Sequence, residues 1–153
     1  MTEHPEVLNL IDSANEGSLA TIDASGQPFV SAVGFIGNVF SPRPQEGEGI
    51  SLFFLLSDLA RHTKHLAQNP KASLLVVEQT AKLPVHEKKR ATLSGTVSRV
   101  QDQNRFETLK QSYILAFPKS QIFFTLPDFR FYELTASEIY WIGGFGKAAT
   151  IKW

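Results

Sequence analysis

The segment "GISLFFLLS", residues 49–57, constrains the fold of this chain more than any other. It is apolar almost throughout. It is far too short to cross a bilayer, which needs roughly 20 apolar residues. A run of this length reads as a β-strand, and its lack of alternation predicts cover on both faces. The fold must therefore supply packing on either side of one central strand.

The neighbouring segments supply strands and a few helices. Apolar positions at Val7, Leu8, Ile11 and Ala14 predict a helix over residues 5–15, ended by Gly17. "SLATID", "ASGQP" and "FVSAVGFIG" read as strand, tight turn at Ser25-Gly26, and strand. The loop "SPRPQEGEGI" (41–50) links two strands. A short helix follows the apolar run and ends near Asn69-Pro70, before a fourth strand, "KASLLVVEQ". In "RATLSGTVSRVQ", Ala91, Leu93, Gly95 and Val97 alternate with Thr92, Ser94, Thr96 and Ser98, the pattern of a half-exposed strand. Asp102 is placed to cap a helix carrying Phe106, Leu109 and Tyr113. "FRFYELTASEIYWIGGFGKAATI" reads as two antiparallel strands joined at residues 135–137, with "GGFG" as a tight turn presenting Phe145. The expected class is mainly β with α, an α+β chain. Six or seven antiparallel strands with helices at the edges point to a closed barrel, which removes sheet edges. An open α+β sheet is the alternative. The 153 residues suit a single domain, 1–153.

Composition narrows function by exclusion. Lys plus Arg and Asp plus Glu both number 15, so no global field attracts nucleic acid or a membrane, and any anion site must be local. There is no cysteine, which excludes disulfides, thiolate metal sites and a Cys nucleophile. The polar N-terminus carries no signal peptide, and the reading is cytoplasmic. Phe is abundant, 12 against 3 Tyr and 2 Trp, which suits either a Phe-rich core or an aromatic-lined pocket or interface. No nucleophile elbow, phosphate-binding glycine loop or dinucleotide fingerprint is present, and the acids are too scattered for a paired-carboxylate hydrolase. No catalytic residue is identified. His62 and His65 could face one metal ion, but no third ligand accompanies them, so no metal site is expected.

The stretch "SDLARHTKHLAQNP" (57–70) carries the one cluster of chemistry. A helix N-terminus offers unpaired N–H groups and a partial positive charge. Ser57 or Asp58 can cap it, Arg61 adds a fork suited to phosphate oxygens, Thr63 a hydroxyl, and His62 or Lys64 further charge. Two readings stand: a seat for a phosphate monoester, or a solvated cationic helix face.

The order of these segments resembles the FMN-binding split-barrel proteins related to pyridoxamine 5′-phosphate oxidase. The resemblance covers roughly residues 5–146. Its most specific pieces are the Gly-x-Pro at 26–28, the Ser-x-Leu-Ala-x-His-Thr run at 57–63, and Asn-Pro-x-x-Ser-Leu-Leu at 69–75. The ending, "LPDFRFYEL…WIGGFGKA", resembles the haem-utilisation branch in particular. The resemblance implies a six-stranded antiparallel split barrel, a homodimer, and FMN at the subunit interface. It implies that Arg61 and His62 grip the FMN phosphate, with Ser57, Thr63 and Lys64 around it. The strand segment from Ser31 through Ala32 and Val33 to Ile36 would run along the ribityl chain and ring. Arg90 falls where oxidases of the family have a glutamine near the ring, and Gln121 would reach the flavin from the second subunit. The Trp-x-x-x-Arg-Leu-type ending of true vitamin-B6 oxidases is absent, so that substrate is not expected. Longer haem-utilisation relatives carry further C-terminal residues, in some cases with a haem-ligating histidine, whereas no histidine follows His86 here. The resemblance implies an FMN-dependent oxidoreductase acting on an unknown small molecule. The alternative is a non-catalytic flavin- or haem-binding protein, for which His62 or His65 would be the iron ligand.

Overall fold

A computed structural model describes residues 4–45 and 47–153. The described elements run α1 (Pro5–Ser13), β1 (Glu16–Ile22), β2 (Pro28–Gly34), β3 (Ile36–Gly37), β4 (Ile50–Ser57), α2 (Arg61–Gln68), β5 (Lys71–Val77), β6 (Arg90–Arg99), α3 (Gln103–Ala116), β7 (Phe129–Ile142) and β8 (Ala148–Lys152). Short 3-10 helices occupy Val85–Glu87 and Pro118–Thr125.

The strands form one sheet in the order β2-β1-β5-β6-β7-β4-β3, with β8 added on β7, and every pairing is antiparallel. The two ends of that order are one piece of chain. β2 pairs with β1 up to Gly34, and β3 pairs with β4 from Ile36. The single residue between them, Phe35, is fully buried. Taking β2 and β3 as one run, the ring has the six strands expected of a split barrel.

Both faces of β4 are covered, for the reason its composition implies. Ile50, Leu52, Phe54 and Leu56 join the core inside the barrel, together with Val7, Leu8, Leu10 and Ile11 of α1. Phe53 and Leu55 face a second core built from Leu109 and Tyr113 of α3 and Phe131 of β7. The alternation read in β6 also holds: Ala91, Leu93 and Val97 are buried. Asp102 caps α3, accepting from the amides of Asn104 (2.8 Å) and Arg105 (3.1 Å).

Three expectations are corrected. α1 stops at Ser13, and Gly17 lies within β1, packed against the Leu74 side chain. Residues 129–142 are one strand, not two joined at 135–137. The reason lies in the opposite strand, where the register shifts at Ser94/Gly95. A β-bulge lets a long strand bend without breaking. The next strand in the chain, β8, also pairs with β7 and is reached through the "GGFG" turn, where Gly144 and Gly146 sit at positive φ and Phe145 is exposed. The third correction concerns α2. Neither Ser57 nor Asp58 caps it, because Ala60 occupies the N-cap position.

Gly95 is required by space. A Cβ built there would lie 1.9 Å from the Thr135 carbonyl oxygen. The clash is with backbone, which cannot rotate away. Gly95→Ala should therefore destabilise the protein by about 3 kcal/mol, the upper end of overpacking costs. Urea unfolding with an unchanged m-value would measure it.

Candidate functional site

The candidate site is built around α2, and the loop before it is tied down from a distance. Ser57 Oγ donates to Asp128 Oδ2 (2.6 Å) and accepts from the Leu59 amide (3.1 Å). The Asp58 amide donates to the Asp128 carbonyl (2.7 Å). Thr63, itself buried, donates its hydroxyl to the Ser57 carbonyl (2.6 Å). The hydroxyls of Ser57 and Thr63 thus anchor the start of the helix. No side chain caps α2, so the amides of its first turn lack their usual acceptor.

Helical rotation sends the polar side chains of α2 two ways. One face meets β1 and β2. His62 Nδ1 lies 3.2 Å from Ser31 Oγ, and His65 Nδ1 lies 3.0 Å from Thr21 Oγ1. Phe29 meets the His65 ring edge-on at 5.4 Å and 89°. The Arg61 guanidinium lies over the Phe29 ring, 5.1 Å from its centroid. The other face carries Thr63 and Lys64 into a cavity of ≈ 410 Å³, whose far wall holds Asp58, Arg99 and Tyr132. Tyr132 donates to Asp58 Oδ1 (3.3 Å), and Arg130 Nε lies 3.3 Å from Asp58 Oδ2 without hydrogen-bond geometry.

His62 has the most unusual environment of the group. Its Nε2 is buried and has no hydrogen-bond partner. Burial, and next the neighbouring His65, hold its pKa below the ordinary 6.5. The ring is therefore neutral at neutral pH. In the tautomer that carries its proton on Nδ1 and donates it to the Ser31 hydroxyl, the Nε2 lone pair is left unused. A buried nitrogen of this kind can serve a metal or accept a proton from a ligand.

The other residues singled out in the sequence do not converge here. Ala32 is exposed and Val33 is buried in the barrel core, so of that strand segment Ser31 alone is hydrogen-bonded to α2. The Arg90 side chain donates to the Val85 carbonyl. Gln121 lines a cleft of ≈ 520 Å³ with Lys110 and Phe124. Neither shares a described contact with α2. Sequence reasoning missed Thr21, Phe29 and Asp128. Phe29 was within reach of pattern reading, because it lies two residues from Ser31 on the same strand face. Among the described residues no three His, Cys, Asp or Glu side chains converge on one point, and no helix is long and apolar enough to cross a membrane.

A family profile described as "CREG, beta-barrel" matches residues 6–153. Heme oxygenase HutZ of Vibrio cholerae is 29% identical over 151 residues, spanning 97% of this chain and 80% of HutZ. A crystal structure described as HutZ, the heme storage protein from Vibrio cholerae, is 27% identical with a TM-score of 0.70, covering 95% of this chain and 98% of that one. The heme binding protein from Mycobacterium smegmatis has the same fold, with a TM-score of 0.82 at 23% identity; it covers 99% of this chain, which spans only 58% of that protein's length. A Clostridium acetobutylicum protein of the pyridoxinephosphate oxidase family also shares the fold, with a TM-score of 0.68 at 19% identity, covering 97% of this chain and 92% of its own.

These relatives overturn the expectation of FMN as cofactor, since HutZ and the mycobacterial protein are named for haem. The geometry supplies a physical reason. Two of the hydroxyls expected around a phosphate are spent inside the protein, and Lys64 borders the cavity of Asp58, Arg99 and Tyr132 whereas Arg61 lies over Phe29.

The His62 shift carries a pH prediction. The unfolded chain takes up the His62 proton near pH 6.5, whereas the folded chain takes it up only at lower pH. This contribution to stability is complete above 6.5 and is lost as pH falls below it. Thermal unfolding measured from pH 7.5 downward should show this loss, and His62→Gln should flatten the dependence below 6.5. Ser31→Ala, which strands Nδ1, should cost about 1 kcal/mol.

Proposed function

The chain belongs to the CREG β-barrel family and to the haem-utilisation branch of the FMN-binding split-barrel superfamily, and on that premise we propose that it binds haem between α2 and β2, with His62 as the iron ligand. The observation that carries this reading is the buried, unpartnered Nε2 of His62. It is a neutral imidazole whose other nitrogen is already held by Ser31. Such a partner fixes the tautomer and orientation of a ligating histidine. The donor set therefore fits haem, which would supply a redox-active iron when bound.

The remaining residues have defined duties in this reading. Arg61 brings a permanent positive charge suited to a propionate carboxylate. Phe29 offers an aromatic surface beside it. Thr21 holds His65 by its Nδ1, so His65 is a neighbour of the ligand and not a competitor for Ser31.

The assembly we propose is a homodimer, as is common in this fold. The outer faces of β2, β1, β5 and β6 support it. In register they present Val30, Ala20, Ser73 and Ser94, then Ala32, Ser18, Leu75 and Thr92. Two such rows without a charge, with Val30 62% exposed, fit cover by a second copy. Sedimentation of the purified protein reads this directly.

Titration with haemin should give a saturable Soret shift at one haem per chain. His62→Ala should weaken binding by at least about tenfold, equivalent to about 1.4 kcal/mol, while His65→Ala should change it little. Unchanged affinity and spectrum in His62→Ala would remove His62 as the ligand.

A further inference from the structure

A second cleft lies where two neighbouring strands, β6 and β7, end at different heights. β6 stops at Arg99, paired with Tyr132, but β7 begins three residues earlier, at Phe129, paired only with Ser57 of β4. The chain continues from β6 through Val100, whose amide donates to the Phe131 carbonyl (2.9 Å), and then turns away into α3. The step leaves an open cleft of ≈ 510 Å³. That size suits a small organic ligand.

Its lining has two parts. Phe106 and Phe129 make an aromatic floor, backed by the fully buried Phe131. Arg99 and Arg130 stand at the wall. Arg130 faces one carboxylate, Asp58. Arg99 has no ion-pair or hydrogen-bond partner among the described residues, and it also borders the adjoining cavity that holds Lys64. The acid next along the chain, Asp102, is committed to capping α3. Two cations thus border the aromatic surface, and of the two only Arg130 has a carboxylate, Asp58, beside it. A charged ligand carrying an aryl group satisfies both halves at once, since guanidinium groups bind carboxylates through paired N–H donors.

We propose that this cleft binds an aromatic carboxylate, its ring on the phenylalanine floor and its carboxylate on Arg99 and Arg130. The site is independent of the haem reading. Arg61 and His62 face β2, whereas this cleft opens at the ends of β6 and β7.

The test uses the whole chain without added haem. Addition of 2-naphthoate, followed by amide chemical shifts in 15N-labelled protein, should move residues 99–106 and 129–131 in a saturable way. Arg99→Gln removes an exposed side chain with no partner, so its spectrum without ligand should match that of the parent. It should bind 2-naphthoate at least about tenfold more weakly. 2-Naphthamide, with the same ring and no charge, should bind comparably weakly to both proteins. Shifts equal for acid and amide, undiminished binding in Arg99→Gln, or no saturable shift at millimolar 2-naphthoate would each overturn the proposal.

Discussion

The change of partner at Phe35 governs the geometry of the whole molecule. The strand that carries Ser31 belongs to β1 for seven residues and then passes to β4. Phe35 sits at the crossing, fully buried, with its amide held by the Asn15 carbonyl at 2.9 Å. Burying a phenylalanine contributes about 2–3 kcal/mol, which pins the crossing in place. Because one run serves two neighbours, six strands close into a ring, yet the first half of β2 keeps a free edge. α2 lies against that half. The side chains that reach α2, Phe29 and Ser31, are there because the barrel is closed by a single residue and not by a full pair of strands.

Features set by local chemistry were legible in the sequence. The two-faced burial of β4, the alternation in β6 and the Asp102 cap each depend on residues close in the chain. Features set across the sheet were not. The unbroken course of β7 depends on Gly95, 40 residues before Thr135, whose carbonyl would clash with any side chain there. The residues Thr135–Ser137 have the composition of a turn, and only the bulge on the opposite strand turns them into a bend. In the same way, Ser57 looked like a cap, but its hydroxyl is taken by Asp128, 71 residues away.

The site was legible as a cluster and illegible as a geometry. Arg61, His62, Thr63 and Lys64 are consecutive, so their shared charge is plain in the sequence. On a helix, consecutive residues point about 100° apart. Arg61 and His65, four apart, meet Phe29 together, while Lys64 faces Arg99 and Tyr132. A phosphate seat needed these groups and two free hydroxyls on one side. Separation and internal hydrogen bonding leave an imidazole and a guanidinium there, the pair on which the haem proposal rests.

An enclosed Nε2 is a cost that a stable fold normally avoids, since leaving a buried polar atom unpaired costs about 1–3 kcal/mol. The location of that cost matters. α2 is eight residues long and has only Thr63 and Leu66 buried. A helix this short gains little from its own hydrogen bonds and depends on packing. Elements with few buried contacts open at free energies well below that of global unfolding. The unpaired nitrogen therefore sits on a short helix with few buried side chains. A ligand that supplies the missing partner recovers the burial cost as it binds. The six-stranded ring, secured at Phe35, need not change for this to happen.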